Sequence, residues 1–195
     1  MTARRRRTLT RWLLCLAAVV FASLVGLWQA QAIWDFRRPA VDQSVGPGET
    51  AVEEGVSYRL ARFAHAPDLP TAPSQGDPSD DSDDLVSALG GAELVLVVLS
   101  VERRDPARDP KSVFCDVTLR DPAGRTWRTD GTVDYRVDKP AAVSCTGPVN
   151  RTPKVGVPFE VGLVFQVPAA VADQLTVRLR LSGGQERRVL EFRPR

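Results

Sequence analysis

The chain is poor in the residues that most often carry chemistry. Its 195 residues include one histidine, three cysteines, two tyrosines and no methionine beyond the initiator. A lone imidazole excludes every site that needs two, such as the paired histidines of an H-E-x-x-H zinc motif. No G-x-S-x-G elbow, phosphate-binding Walker loop or dinucleotide fingerprint occurs either, so the commonest nucleophile and nucleotide signatures are missing. Acidic residues are absent before Asp35, whereas Arg4, Arg5, Arg6, Arg7 and Arg11 crowd the beginning of the chain. Subtracting those five from 26 basic side chains leaves 21 against 24 acidic ones. The sequence pI of about 8.6 therefore belongs to a basic tip. The remainder is slightly acidic and is not a nucleic-acid-binding surface.

Charge is missing altogether from Trp12 to Trp34, where Ser23, Gln29 and Gln31 are the polar side chains. As a helix this stretch reaches about 34 Å, enough to cross a hydrocarbon layer of about 30 Å. Trp12 stands at one end and Trp28 and Trp34 toward the other, as interfacial indoles do. The arginines on the N-terminal side place residues 1–11 in the cytoplasm and the rest outside, by the positive-inside rule. We therefore expect a basic cytoplasmic tip (1–11), a transmembrane signal anchor (12–34) lodged in the lipid bilayer, a juxtamembrane stalk (35–48) and an ectodomain (49–195). A cleaved signal peptide has the same outline, and Ala30-Gln31-Ala32 suits a signal peptidase. The long apolar core and bulky Trp28 favour the uncleaved anchor, and a secreted ligand- or metal-binding module released after Ala32 is the alternative. Cys15 reads as a small apolar residue within the helix.

Beyond the stalk the dominant period is two. Val56, Tyr58 and Leu60 alternate with Ser57 and Arg59 after a Glu53-Glu54-Gly55 turn. Val113, Cys115, Val117 and Leu119 alternate with Phe114, Asp116, Thr118 and Arg120, and Asp121-Pro122-Ala123-Gly124 then supplies turn chemistry before a short strand carrying Trp127. Phe159, Val161, Leu163, Phe165 and Val167 form one face, and Leu175, Val177, Leu179 and Leu181 another, with a last strand expected near 187–192. Leu94–Val98 is unbroken apolar, as a central strand covered on both faces would be. Seven or eight short strands without a soluble helix, save one turn at 169–174, predict an all-β protein: two antiparallel sheets packed face to face.

Pro67 to Asp84 interrupts this pattern with four prolines and six aspartates, and reads as a solvated acidic loop. Calcium is its conceivable ligand, although the spacing lacks the glycine and distal glutamate of an EF-hand. Cys115 and Cys145, the cysteines outside the apolar segment, suit a structural disulfide in an oxidising compartment. Two thiolates with no neighbouring histidine make a poor zinc site. His65, beside the acidic loop, is expected as an exposed loop residue or strand-end cap, the hydrolase reading lacking any residue that positions it. Phe114 and Trp127 are the aromatics out of core parity and could form an exposed patch. No catalytic, cofactor-binding or metal residue is assigned.

Four stretches carry a family likeness: residues 48–58 (GETAVEEGVSY), the core strand near 93–101, residues 119–127 (LRDPAGRTW) and residues 156–168 (GVPFEVGLVFQVP). Over about 48–194 the chain resembles the extracytoplasmic immunoglobulin-like domains of unknown function, often labelled telomeric-repeat-binding-factor-like, of actinobacterial membrane proteins and lipoproteins. The resemblance implies an immunoglobulin-like antiparallel β-sandwich on a membrane anchor, a role in the cell envelope with an unidentified envelope protein or ligand, and no catalytic residues. The Asp/Pro insertion and Pro122 depart from that pattern.

Overall fold

The strand-forming alternation of residues 50–63 continues further than expected and organises one of two sheets. The computed structural model describes residues 20, 21, 23, 25–26, 41–72, 85–107, 114–140, 142, 144–147, 152–182 and 188–194. Residues 1–40 and 41–195 form two separate units. In the first, Val20, Phe21, Ser23, Val25 and Gly26 are helical, and the rest of the expected anchor 12–34 lies outside the described residues. Among the described residues no helix is long and apolar enough to cross a membrane.

The second unit is a β-sandwich. Its strands are β1 (Gln43–Val45), β2 (Thr50–Glu53), β3 (Val56–Ala66), β4 (Asp68–Pro70), β5 (Leu85–Ser87), β6 (Ala92–Arg103), β7 (Phe114–Arg120), β8 (Thr126–Trp127), β9 (Phe159–Pro168), β10 (Thr176–Ser182) and β11 (Arg188–Phe192). One sheet has the order β1-β11-β10-β7-β8, the other β2-β3-β6-β9, and β4 and β5 form a separate ribbon. Inward residues of both sheets make the main core, with Tyr58, Leu99, Leu119, Phe165, Leu179 and Phe192 at 1% exposure or less. Each such side chain contributes roughly 1.5–3 kcal/mol of burial.

Strand β6 is apolar on both faces for a visible reason. Val95, Val97 and Leu99 face the main core, while Leu94, Leu96 and Val98 join Leu69, Val86, Val137 and Val164 in a second cluster. The ribbon β4–β5 and a helical turn, α1 (Gly131–Asp134), therefore cover the outer face of this sheet. Asp130 caps α1 by accepting from Thr132 N–H at 2.9 Å.

Three expectations are modified. Part of the supposed stalk 35–48 is strand β1, whose register Gln43↔Leu190 is parallel to β11, so the sandwich is not wholly antiparallel. Asp42 fixes it there, accepting from Val189 N–H at 2.6 Å. The start of the acidic segment 67–84 is strand β4, with Leu69 buried, and residues 73–84 lie outside the described residues. Helix α1 exceeds the single turn expected, which is present as a 3-10 segment at Ala169–Gln174.

Candidate functional site

Strand β2 pairs with only the first part of β3, from Glu53↔Val56 to Thr50↔Arg59. The chain then leaves that sheet. Glu49 N–H bonds Gly46 O at 3.1 Å, Gly46 N–H bonds the Glu49 carboxylate at 2.8 Å, and Gly48 takes φ 77°. Glycine adopts that conformation without a Cβ penalty. Through this turn the chain joins the opposite sheet as β1, so among the described residues no strand lies beside Leu60–Ala66 on that edge.

Strand β3 carries a bulge where its register against β6 shifts from Leu60↔Leu99 to Arg62↔Val98. Ala61 is the extra residue. Arg59 opposes Ser100 and Arg62 opposes Val98, two β6 residues of the same parity. The bulge therefore turns Arg59 and Arg62, which strict alternation would put on opposite faces, toward the same face; bulges re-aim side chains in this way. From the other sheet Arg193 arrives just after β11, held by its N–H to Val45 O at 3.1 Å.

These pieces enclose a cleft of about 360 Å³ lined by Pro47, Gly48, Arg59, Leu60, Ala61, Arg62, Phe63, Arg193 and Pro194. Its charge is of one sign. Among the described residues none of its three arginines is paired with a carboxylate. Sequence reasoning passed over this groove. Its signal was the step of three from Leu60 to Phe63, where the apolar alternation slips by one.

Cys115 and Cys145 are joined, with S–S 2.04 Å and Cα–Cα 5.8 Å. The bridge ties strand β7 to the connection before β9, and Cys145 N–H also points at Cys115 Sγ at 3.1 Å. It differs from the bridge of antibody domains, which joins two strands of opposite sheets.

His65 lies on β3, not in a loop. Its Nδ1 is 2.6 Å from Glu93 Oε2 and its Nε2 is 3.0 Å from Asp173 Oδ1, with the Phe63 ring edge-on at 6.4 Å between centroids. The carboxylates hold opposite nitrogens and diverge, so they do not converge on one ion. Both nitrogens are occupied, and neither is left facing a hydroxyl nucleophile. The cluster acts as a tie between β3, β6 and the 3-10 segment.

The remaining sequence candidates separate. Phe114 is exposed at one end of β7, whereas Trp127 pairs opposite Leu119 at the other end and packs on the main core, so the two form no common patch. The Arg125 guanidinium stands 5.7 Å from the Trp127 ring centre. The hairpin turn is built by Asp121, which accepts from Arg125 N–H at 2.8 Å and from Arg125 Nε at 2.6 Å, while Gly124 takes φ 86°. The aspartates proposed for calcium, save Asp68, lie outside the described residues, and among those described no group of three potential ligands gathers.

No family model matches the chain, and no curated protein matches it. Three solved structures are similar to it. An uncharacterised β-sandwich protein from Clostridium difficile 630 has 12% identity and a TM-score of 0.44, covering 79% of this chain and 96% of that one. A conserved hypothetical protein from Bacillus anthracis has 10% identity and a TM-score of 0.47, covering 74% and 94%. The yjhA protein from Bacillus subtilis has 9% identity and a TM-score of 0.45, covering 76% and 99%.

Proposed function

We propose that the protein is a non-catalytic, membrane-anchored, extracytoplasmic domain of immunoglobulin-like type that binds a partner in the cell envelope. The observation that carries the binding reading is the cleft beside Leu60–Phe63, whose lining includes three arginines from two sheets, none of them paired with a carboxylate among the described residues. The compartment is supported by two independent features. The uncharged stretch 12–34 behind five arginines has the length and flanks of a signal anchor. The Cys115–Cys145 bridge suits an oxidising environment, since such bonds do not persist among cytosolic thiols.

The test uses the full chain with a C-terminal tag. In intact spheroplasts added protease should remove the tag, and the protein should fractionate with membranes at its full mass. A soluble product beginning at Ile33 would replace the anchor with secretion, and a protected tag would overturn the export reading altogether. For binding, a photoreactive residue at position 61 should give a discrete adduct in cells. That adduct should vanish when Arg62→Glu and Arg193→Glu are combined; its persistence, or its absence from the parent protein, would remove the groove from the function.

A further inference from the structure

The sandwich treats its two long edges differently. Along β9 the outer edge is covered by the preceding connection. Val164 N–H donates to Asp134 Oδ1 at 2.7 Å, Gly162 N–H donates to Ala142 O at 3.1 Å, and Asp134 is itself held by Lys139 Nζ at 3.1 Å. Along β3 no such cover exists among the described residues: β2 stops opposite Arg59, and the lane beside Leu60–Ala66 is vacated because the chain crosses to the other sheet. A strand edge presents a row of backbone donors and acceptors at strand spacing, a ready template for another strand.

We infer that this lane receives an extended acidic peptide segment of a partner protein, which adds to β3 as an extra strand and places its carboxylates on Arg59, Arg62 and Arg193. This deepens the binding reading above and rests on it. Two features select the occupant. The backbone edge, unpaired among the described residues, favours a peptide over a polyanion, because a phosphate or sulfate chain has no strand ladder to complete. The arginines favour carboxylates, since the planar guanidinium pairs with them in a forked, two-bond geometry. Like charges at an edge also repel basic strands and second copies that would align arginine against arginine. The same residues thus serve as both filter and anchor.

Full-length protein in non-ionic detergent would be titrated with a fluorescent peptide that carries glutamate on both strand faces, because successive side chains of an added strand point to opposite sides. Matched probes would carry lysine for glutamate, N-methyl groups on alternate backbone nitrogens, or inorganic polyphosphate in place of peptide. The acidic peptide should bind, the basic one should not, and N-methylation should abolish binding because it removes ladder donors. Arg62→Glu and Arg193→Glu should each weaken binding about tenfold or more, as a lost charge pair does, while Arg62→Lys with an unchanged melting temperature should retain part of it. Equal binding of the N-methylated peptide, or tight polyphosphate binding without peptide binding, would overturn strand addition and leave an anion-binding module standing. No binding of any probe would overturn the inference, whereas failure of the export test or of the position-61 adduct would instead overturn the reading beneath it.

Discussion

A Cβ placed on Gly162 would lie 2.7 Å from Cδ of Pro140 and 3.0 Å from Cβ of Lys139. Strand β9 is bare at this position so that the connection from α1 can lie flat on it, and the hydrogen bond from Gly162 N–H to Ala142 O depends on that approach. Gly162→Ala should cost about 1–3 kcal/mol, the range for forcing atoms into a packed site. Gly90, where an added methyl would meet nothing within 4 Å, provides the control. Gly90→Ala should stay within about 0.5 kcal/mol. Chemical denaturation of both variants checks this, and equal effects would show that the close approach is relaxed without cost.

The Cys115–Cys145 bridge closes a sequence separation of 30 and holds the same connection near its middle. The chain-entropy estimate for a loop of this size is about 3–4 kcal/mol. Reduction should lower the denaturation midpoint accordingly and should first release hydrogen exchange at residues 144–147. Strands β7 and β10, paired from Phe114↔Ser182 to Arg120↔Thr176, should stay protected until global unfolding. Uniform acceleration throughout the sandwich would contradict this order.

The parts of this fold that are legible in the sequence are those governed by local periodicity. Strand β10 alternates cleanly, one face of β9 keeps period two although Gly162 and Val164 are buried on its other face, β6 is apolar on both faces because two clusters need it, and Asp121 to Gly124 is recognisable as a turn. The illegible parts depend on distant partners. Gln43 to Val45 becomes a strand only because Leu190 to Phe192 lies beside it, and three residues carry no period by themselves. Asp68 to Pro70 is strand because Leu69 finds an apolar cluster, against the polar composition around it. The candidate groove combines both difficulties. Arg59 and Arg62 share a face only through the bulge, and Arg193 joins the lining from the opposite end of the chain.

Acid should open the β7–β8 turn. Burial pushes the Asp121 carboxyl up, but the hydrogen bonds from the Arg125 side chain and backbone, the guanidinium charge and the Gly124 N–H outweigh it and hold the carboxyl below its ordinary value. At Asp130 the Thr132 hydroxyl and N–H lower the carboxyl, burial opposes them and the Val133 N–H adds to the lowering. For both groups the folded value lies below the unfolded one. Their stabilisation is complete above about pH 4, the unfolded carboxylate range, and is lost as pH falls through the depressed folded values. Denaturation midpoints measured down the acid range should therefore decline, and Asp121→Asn should flatten part of that decline. An unchanged acid limb in the variant would remove Asp121 from the account.

Alkali acts on a different residue. Burial first, and the charge of Glu53 second, push the Tyr58 phenol well above its usual range. The neutral phenol is the form the core accepts, so its contribution is whole below about pH 10 and is lost as pH rises through the higher folded value. Phenolate absorbance of Tyr58 should appear only together with loss of folded structure, with Tyr58→Phe supplying the blank. Reversible ionisation of Tyr58 in the intact sandwich would contradict its burial.

The two carboxylates that hold His65 should contribute unequally. Glu93 is 23% exposed and only 2.6 Å from Nδ1, and its strand position opposite Val167 fixes its direction. Asp173 reaches Nε2 at 3.0 Å but is 83% exposed, on the 3-10 segment. Water screens the second contact and competes for it, so Asp173→Asn should change stability by less than about 0.5 kcal/mol. Glu93→Gln and His65→Ala should each cost about 1–2 kcal/mol, between the values for an ordinary hydrogen bond and for a well-buried one to a charged group. If the imidazole is the tie between β3 and the 3-10 segment, both costly variants should also speed hydrogen exchange at Ala172, the buried residue of that segment. Equal costs for Glu93→Gln and Asp173→Asn would mean that the exposed contact bears as much of the tie as the sheltered one, and would overturn the assignment of the tie to Glu93.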